Sequence, residues 1–116
     1  MAFGASGASC SWTFNEWVGP SSTNSLPLVA KQGADTKIAI DDIIISVSAA
    51  TIVRIFFVND ANTRRKVAEI NFIANGDLYR HIALAGSIIG NAGERLEGQV
   101  EGEERTYITT VYETTT

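Results

Sequence analysis

The sequence has little of what catalysis and covalent cross-linking require, with one cysteine, Cys10, and one histidine, His81, in 116 residues. A single cysteine excludes an internal disulfide and a zinc site made of several thiolates. We interpret Cys10 as a small residue of an N-terminal segment, the alternatives being a reactive thiol or an intermolecular bridge. His81 has no serine or cysteine motif beside it, so we interpret it as a surface or interface imidazole. We therefore expect no catalytic residues, no metal site and no cofactor.

Positive charge is also scarce, because the sequence has nine lysines and arginines but 13 aspartates and glutamates, which gives a net charge of −4. Nucleic-acid phosphates and anionic membrane surfaces both attract a basic face, so we expect neither partner. No stretch approaches the roughly 18 to 20 apolar residues of a membrane span. Residues 1–12 lack the basic and apolar regions of a secretory signal, so we expect synthesis in a cytoplasm.

The composition that remains, 45% hydrophobic and 19% charged, is typical of one ordered domain. Residues 1–25 differ from the rest because glycine, serine and alanine are mixed with aromatic residues there. We predict an extended N-terminal arm over 1–25 and a domain over 26–116. Exposed indoles are unfavourable, so Trp12, Phe14 and Trp17 are expected to dock on something. That surface is either the chain's own domain or a partner, and these three residues are our candidate partner-binding residues.

Strand signals recur about every ten residues from residue 26 onward, and no segment favours a helix. Thr51 to Val58 is the strongest of them, and Asn75-Gly76 predicts a type I′ hairpin turn. Asp41-Asp42 is interpreted as another turn. Seven to nine short strands at this spacing predict an all-β protein, a single antiparallel β-sandwich that is jelly-roll-like. Strand spacing leaves an immunoglobulin-like strand order open.

Other polar groups allow chemical interpretations that we consider weaker than structural ones. Asp41-Asp42 and Asp60 with Asn62 lack the spacing of a calcium loop, so we interpret them as turn residues. The acidic residues from Glu97 to Glu104 are interpreted as a solvated strand edge rather than a pair of catalytic carboxylates.

The segment Thr51 to Val58 is apolar on both faces, while a sandwich of this size buries only one face of each sheet. The second face therefore needs a cover, and we expect either the N-terminal arm or another subunit to supply it. A second subunit predicts a homo-oligomer. Our candidate subunit-interface residues are Arg54, Phe56, Tyr79 and Arg80. The two arginines lie in apolar rows, where a guanidinium either pairs across an interface or extends to water at a sheet rim.

The arrangement resembles the small β-sandwich proteins of tailed-phage virions, most of all the capsid decoration (cement) proteins. It is carried by the glycine- and serine-rich start with aromatics, Lys37 to Ser48, Ile52 to Asn59, and Gly86 to Gly90 before Leu96. The resemblance implies a jelly-roll-like homo-oligomer, commonly a trimer, that binds major capsid subunits and stabilises the phage head. It implies a location on the capsid surface of the virion after synthesis in the host cytoplasm.

Two other classes of function remain open. A tail or fibre accessory protein of a phage would share the fold. A carbohydrate-binding β-sandwich module would use exposed aromatic residues, here Trp12, Trp17 or Tyr79, as a platform for sugars. An enzyme is the weakest hypothesis, because the sequence offers no positioned acid, base or nucleophile.

Overall fold

The computed structural model describes residues 11–17, 26–74, 76–101 and 105–116, and every regular element in these ranges is a β-strand. The predicted all-β fold class is therefore confirmed. None of the described residues forms a helix long and apolar enough to cross a membrane. The eight strands are β1 (Ser11–Trp17), β2 (Leu26–Val29), β3 (Lys37–Val47), β4 (Thr51–Val58), β5 (Arg64–Phe72), β6 (Tyr79–Ile89), β7 (Arg95–Glu101) and β8 (Thr106–Thr115).

The strands form two antiparallel four-stranded sheets, which we name sheet A, in the order β1-β8-β3-β6, and sheet B, in the order β2-β7-β4-β5. Strands that follow one another in sequence mostly lie in opposite sheets, and β8 returns to lie beside β1. This order is the eight-stranded jelly roll made of two Greek keys. The strand order therefore distinguishes the jelly roll from the immunoglobulin-like alternative that the spacing left open.

The core lies between the sheets and is built by alternation along each strand. In β4 the side chains of Val53, Ile55 and Phe57 are fully buried, as are Ile45 and Ile108 opposite them in sheet A. Burying a side chain of this size contributes roughly 1.5–3 kcal/mol, so the central strands account for most of the apolar stabilisation.

The predicted turn at Asp41-Asp42 is wrong, because β3 runs without interruption from Lys37 to Val47. The polar pair marks an irregularity instead. Ile40 pairs with Ile88, and the next matched pair is Asp42 with Ala83. Two steps along β3 therefore correspond to five steps along β6, so β6 carries three extra residues. The extra length is accommodated as a bulge, where Ala85 and Gly86 take positive φ values of 51° and 77°.

The predicted hairpin at Asn75-Gly76 is also wrong, since β5 belongs to sheet B and β6 to sheet A. The segment between them crosses from one sheet to the other, and Asn75 itself lies outside the described residues. A true hairpin joins β4 and β5. Its turn is held by the Asn59 side chain, whose Oδ1 accepts hydrogen bonds from the amides of Ala61 and Thr63 at 3.0 and 2.9 Å.

Candidate docking surface

Strand β1 reverses the usual burial pattern of an edge strand, because its apolar side chains face solvent and its polar side chains face the interior. It pairs with β8 along its whole length, so this part of the predicted arm lies against its own domain. Its aromatic side chains point outward, with Trp12 63% and Phe14 57% exposed. Its polar side chains Thr13 and Asn15 alternate with them and therefore point toward the interior. The side chain of Trp17 lies outside the described part of the structure.

The outward side chains of β1 continue into an apolar surface across sheet A. Residues paired directly across a sheet share one face, and Trp12 is opposite Val111 while Phe14 is opposite Thr109 and, one strand further, Ile44. The Tyr107 and Tyr79 side chains belong to one row of the same face, on either side of Ser46. We name this surface the aromatic face and define it by Trp12, Phe14, Ile44, Tyr79, Tyr107 and Val111.

Two rings of the aromatic face pack against each other. Phe14 and Tyr107 stack with centroids 5.7 Å apart and ring planes inclined by 24°. This geometry is a favourable aromatic pair.

The polar groups around the aromatic face are paired within the chain. Glu16 Oε2 lies 3.6 Å from Arg105 Nε, and Asp42 Oδ1 lies 2.8 Å from His81 Nε2. The carboxyl groups of Asp41 and Glu113 share a hydrogen bond, which raises the pKa of Glu113 together with the repulsion between the two charges. Asp42 lies beside Val111 and His81 beside Ile44, so the face mixes apolar and polar side chains, and its charged groups have partners within the chain.

The outward face of sheet B has the opposite character, which we name the charged face and define by Arg54, Lys66, Glu69, Arg95, Glu97 and Glu101. Arg54 bridges two strands, with Nε 2.9 Å from Glu69 and Nη1 2.8 Å from Glu101. Lys66 Nζ is also 2.9 Å from the Glu69 carboxylate. The ammonium of Lys66 and then the guanidinium of Arg54 lower the pKa of Glu69.

The apolar residues on the outer side of β4 are covered by this network. Phe56 is only 9% exposed, and the Arg64 guanidinium lies 5.0 Å from its ring centroid. Val58 in the next outward position is 2% exposed. The described strand of the N-terminal arm, β1, does not supply this cover, because it lies in the other sheet, and the chain's own long charged side chains shelter Phe56. A second subunit on this face stays a prediction.

The candidate interface residues fall on two different surfaces. Arg54 and Phe56 lie on β4 in sheet B, whereas Tyr79 and Arg80 lie on β6, the edge strand of sheet A. Of these, Tyr79 is part of the aromatic face, and it is 57% exposed. Their role as an interface remains a prediction. Sequence reasoning did not single out Ile44, Tyr107 and Val111, although the alternation along β8 already placed Tyr107 and Val111 on one face.

The polar residues considered for chemistry are engaged in local structure. Asp60 pairs with Lys31 at 2.8 Å, and this contact lowers the pKa of the Asp60 carboxyl. Glu97 lies 2.5 Å from Arg95 on β7, an inner strand of sheet B, so the predicted solvated edge is wrong for this residue. Within the described ranges no three histidine, cysteine or acidic side chains come together as metal ligands. Cys10, Glu103 and Glu104 lie outside them.

Comparison with known proteins shows a likeness of fold. No family model matches the chain, and no curated protein matches it. A protein of the Bacillus endospore appendages, a novel family of disulfide-linked pili, superposes with a TM-score of 0.50 at 11% identity, over 92% of this chain and 88% of that chain. The SPBc2 prophage-derived protein YomS gives 0.46 at 12% identity, over 89% and 94%. A CBM4 structure gives 0.38 at 13% identity, over 96% and 84%.

Proposed function

We propose that this chain is a non-enzymatic structural protein of a phage virion, a capsid decoration protein that binds major capsid subunits and stabilises the head. The observation that carries the proposal is the aromatic face of sheet A, with Trp12 and Phe14 exposed beside the Phe14–Tyr107 stack. Binding in this function needs apolar area rather than reactive groups, which agrees with the residues present.

The aromatic face has the composition expected of the centre of a protein interface. Interfaces are enriched in tryptophan, tyrosine and phenylalanine and depleted in unpaired charge at their centre. A few such anchors commonly carry most of the binding energy. Glu16 pairs with Arg105 and Asp42 is hydrogen-bonded to His81, so these groups enter an interface with partners already in place.

The dimensions of the sandwich suit this role as well. Its extents of 40 × 35 × 19 Å describe a flat body with two broad faces. A broad face of this size is large enough for an interface of about 800 Å² on each partner, the usual size for a specific complex. We propose that the protein acts as a homotrimer, because several copies held together multiply the modest affinity of one face for the capsid lattice.

The proposal is tested with purified heads of the phage whose genome carries the gene. Heads that lack the protein are incubated with the wild-type chain, sedimented and then heated, with head disruption followed by light scattering. We expect saturable co-sedimentation at a fixed ratio to the major capsid protein and a higher disruption temperature. Heads that neither retain the protein nor change in stability contradict the proposal.

A carbohydrate-binding module is the second candidate, and the Phe14–Tyr107 stack is the observation that favours it. Exposed aromatic rings suit the apolar faces of sugar rings, and Trp12 lies on the same edge strand as Phe14. Affinity electrophoresis in gels containing soluble polysaccharides tests it. Retardation that Trp12→Ala abolishes supports this candidate, and unretarded migration in every polysaccharide tested removes it.

A further inference from the structure

Strand β1 contributes little to the apolar core of its own domain. The core cluster and the half-buried side chains packed against it come from the other seven strands and their connections, and no described side chain of β1 belongs to either group. As an edge strand, β1 is also hydrogen-bonded to a single neighbour, β8. Its detachment from β8 would break one backbone ladder and remove no core side chain that the structure describes.

The inner surface of β1 is polar and incompletely hydrogen-bonded. Thr13 Oγ1 and Asn15 Nδ2 are buried without a hydrogen-bond partner among the described residues, and so is Oγ1 of Thr110, which is directly opposite Thr13 on β8. A buried polar atom without a partner destabilises the arrangement that buries it, so these three atoms weaken the attachment of β1 to β8.

The length of the connection to β2 allows β1 to lie at some distance from the rest of its chain. Eight residues, 18–25, join β1 in sheet A to β2 in sheet B. Eight residues span at most about 26–29 Å. That reach exceeds the 19 Å shortest extent of the domain, so the length of the connection is compatible with β1 lying on a neighbouring copy.

We propose that β1 is an exchanged strand, which in the oligomer pairs with β8 of a second copy rather than with β8 of its own chain. The edge of β8 already matches β1 in register over all seven residues, including the pair Thr13–Thr110 and the Phe14–Tyr107 stack. A second copy supplies the same strand and restores the same contacts. Such exchange of an identical element holds copies together at little cost in stability.

This inference concerns how copies of the chain associate, and it stands independently of what the aromatic face binds. Exchange rebuilds the aromatic face with Trp12 and Phe14 from one copy and the remaining residues from another. The capsid and carbohydrate candidates are therefore both compatible with exchange and with its absence.

The test uses two single-cysteine chains in a Cys10→Ser background, one with Thr13→Cys and the other with Thr110→Cys. Residues directly opposite in antiparallel strands have Cα atoms about 4.5–5.5 Å apart, within the range of a disulfide. The two chains are mixed at high concentration, diluted, oxidised and digested for mass spectrometry. We expect a peptide cross-linked through a disulfide between positions 13 and 110, and a covalent dimer in denaturing gels.

A matched control distinguishes exchange from random collision. Ser46→Cys and Tyr107→Cys on separate chains place the thiols at another directly opposite pair of sheet A, between β3 and β8. These strands share one compact sheet with no exchangeable segment, so no cross-link between chains is expected. Equal cross-linking in both mixtures overturns the proposal, as does the absence of a link between position 13 of one chain and position 110 of another.

A second measurement covers the case in which a cysteine variant fails to fold. Hydrogen exchange of the wild-type chain is followed for residues 11–17 and for β3 as the protein is diluted. Exchange of β1 between copies predicts that protection of residues 11–17 falls on dilution well before that of β3. Protection of 11–17 that does not depend on concentration contradicts it.

Discussion

The outer faces of sheet A and sheet B both follow the alternation of the strands, but an outward phenylalanine is buried on one face and exposed on the other. On sheet B an outward phenylalanine, Phe56, is 9% exposed under Arg64, while on sheet A an outward phenylalanine, Phe14, is 57% exposed. Both lie on strands whose pattern places an aromatic ring outside the core. The difference is that sheet B has arginine and lysine stems close enough to cover the ring.

This contrast separates residues that stabilise the monomer from residues available to a partner. Aromatic residues outside the core are ambiguous in a sequence, because a cover can come from the same chain or from another. The covered ring, Phe56, belongs to the stability of the domain. The open rings, Trp12 and Phe14, are the ones we propose for binding a partner.

The largest expected effect is on docking, through the double substitution Trp12→Ala with Phe14→Ala. If these rings are the anchors of the interface, their loss weakens head binding by at least about 100-fold. The measurement is co-sedimentation with heads over a range of protein concentrations. Circular dichroism of the variant checks that the sandwich is retained.

The matched control for docking lies on the charged face. Lys66→Ala removes an outward side chain of sheet B and leaves the aromatic face intact. It should leave head binding within about twofold of the wild type, since peripheral contacts contribute little. Equal losses of binding in the two variants would contradict the assignment of docking to sheet A.

The next effect is on the free energy of unfolding, which the same substitution, phenylalanine to alanine, should change by different amounts on the two faces. Phe56→Ala uncovers a packed site and is expected to lower the free energy of unfolding by about 2–4 kcal/mol. Phe14→Ala removes an exposed ring and should change it by less than about 1 kcal/mol. Urea denaturation of the two variants measures the difference, and similar values for both would invalidate the contrast between the faces.

A smaller effect concerns pH, because the contributions of Glu69 and Glu113 to stability should change with pH in opposite directions. The pKa of Glu69 is lowered in the folded state by Lys66 and Arg54, so its contribution is present above the usual carboxyl pKa and lost as pH falls through the folded value. The pKa of Glu113 is raised by Asp41, so its contribution is present in acid and lost as pH rises through the folded value.

Glutamine variants measured from about pH 3 to about pH 8 separate these two contributions. Glu69→Gln should melt below the wild type near neutral pH and approach it in acid. Glu113→Gln keeps a hydrogen bond toward Asp41 without the second charge, so it should melt above the wild type near neutral pH and converge with it in acid. A common pH dependence of both differences would show that the assigned causes are wrong.

The smallest effect is that of salt on the charged face. The Lys66–Glu69 pair is largely exposed, with 51% and 41% of the side chains accessible, so its attraction is screened by added ions. Lys66→Ala should therefore lower the melting temperature slightly at low salt and not at high salt. A difference that persists unchanged in high salt would indicate a packing role for the lysine stem.

The sequence was sufficient for the fold class but not for the sheet assignment of every strand. Alternation identified the strong strands, including β4, because burial of one face imposes a period of two. Asn75-Gly76 was misleading because a turn motif specifies local backbone geometry and not whether the next strand joins the same sheet. The Asp41-Asp42 pair was misleading because a bulge, like a turn, tolerates polar residues within a strand.

The candidate docking surface was only partly predictable for a related reason. The aromatic residues of β1 stood out in a polar segment, so Trp12 and Phe14 were recognised as candidates. The cover over Phe56 was not predictable, because it comes from Arg64 on the neighbouring strand, a contact that depends on the β4–β5 pairing. Tyr107 was missed because its stacking on Phe14 exists only when β1 pairs with β8.

Hydroxyl-radical footprinting of the protein, free in solution and bound to heads, tests the central claim most directly. The claim is that the outer face of sheet A is the surface that docks. We predict that oxidation of Trp12, Phe14 and Tyr79 falls several-fold on the heads, while that of Phe56 is unchanged. Oxidation of Trp12 and Phe14 at the same rate in both states, with protection confined to sheet B, would contradict it.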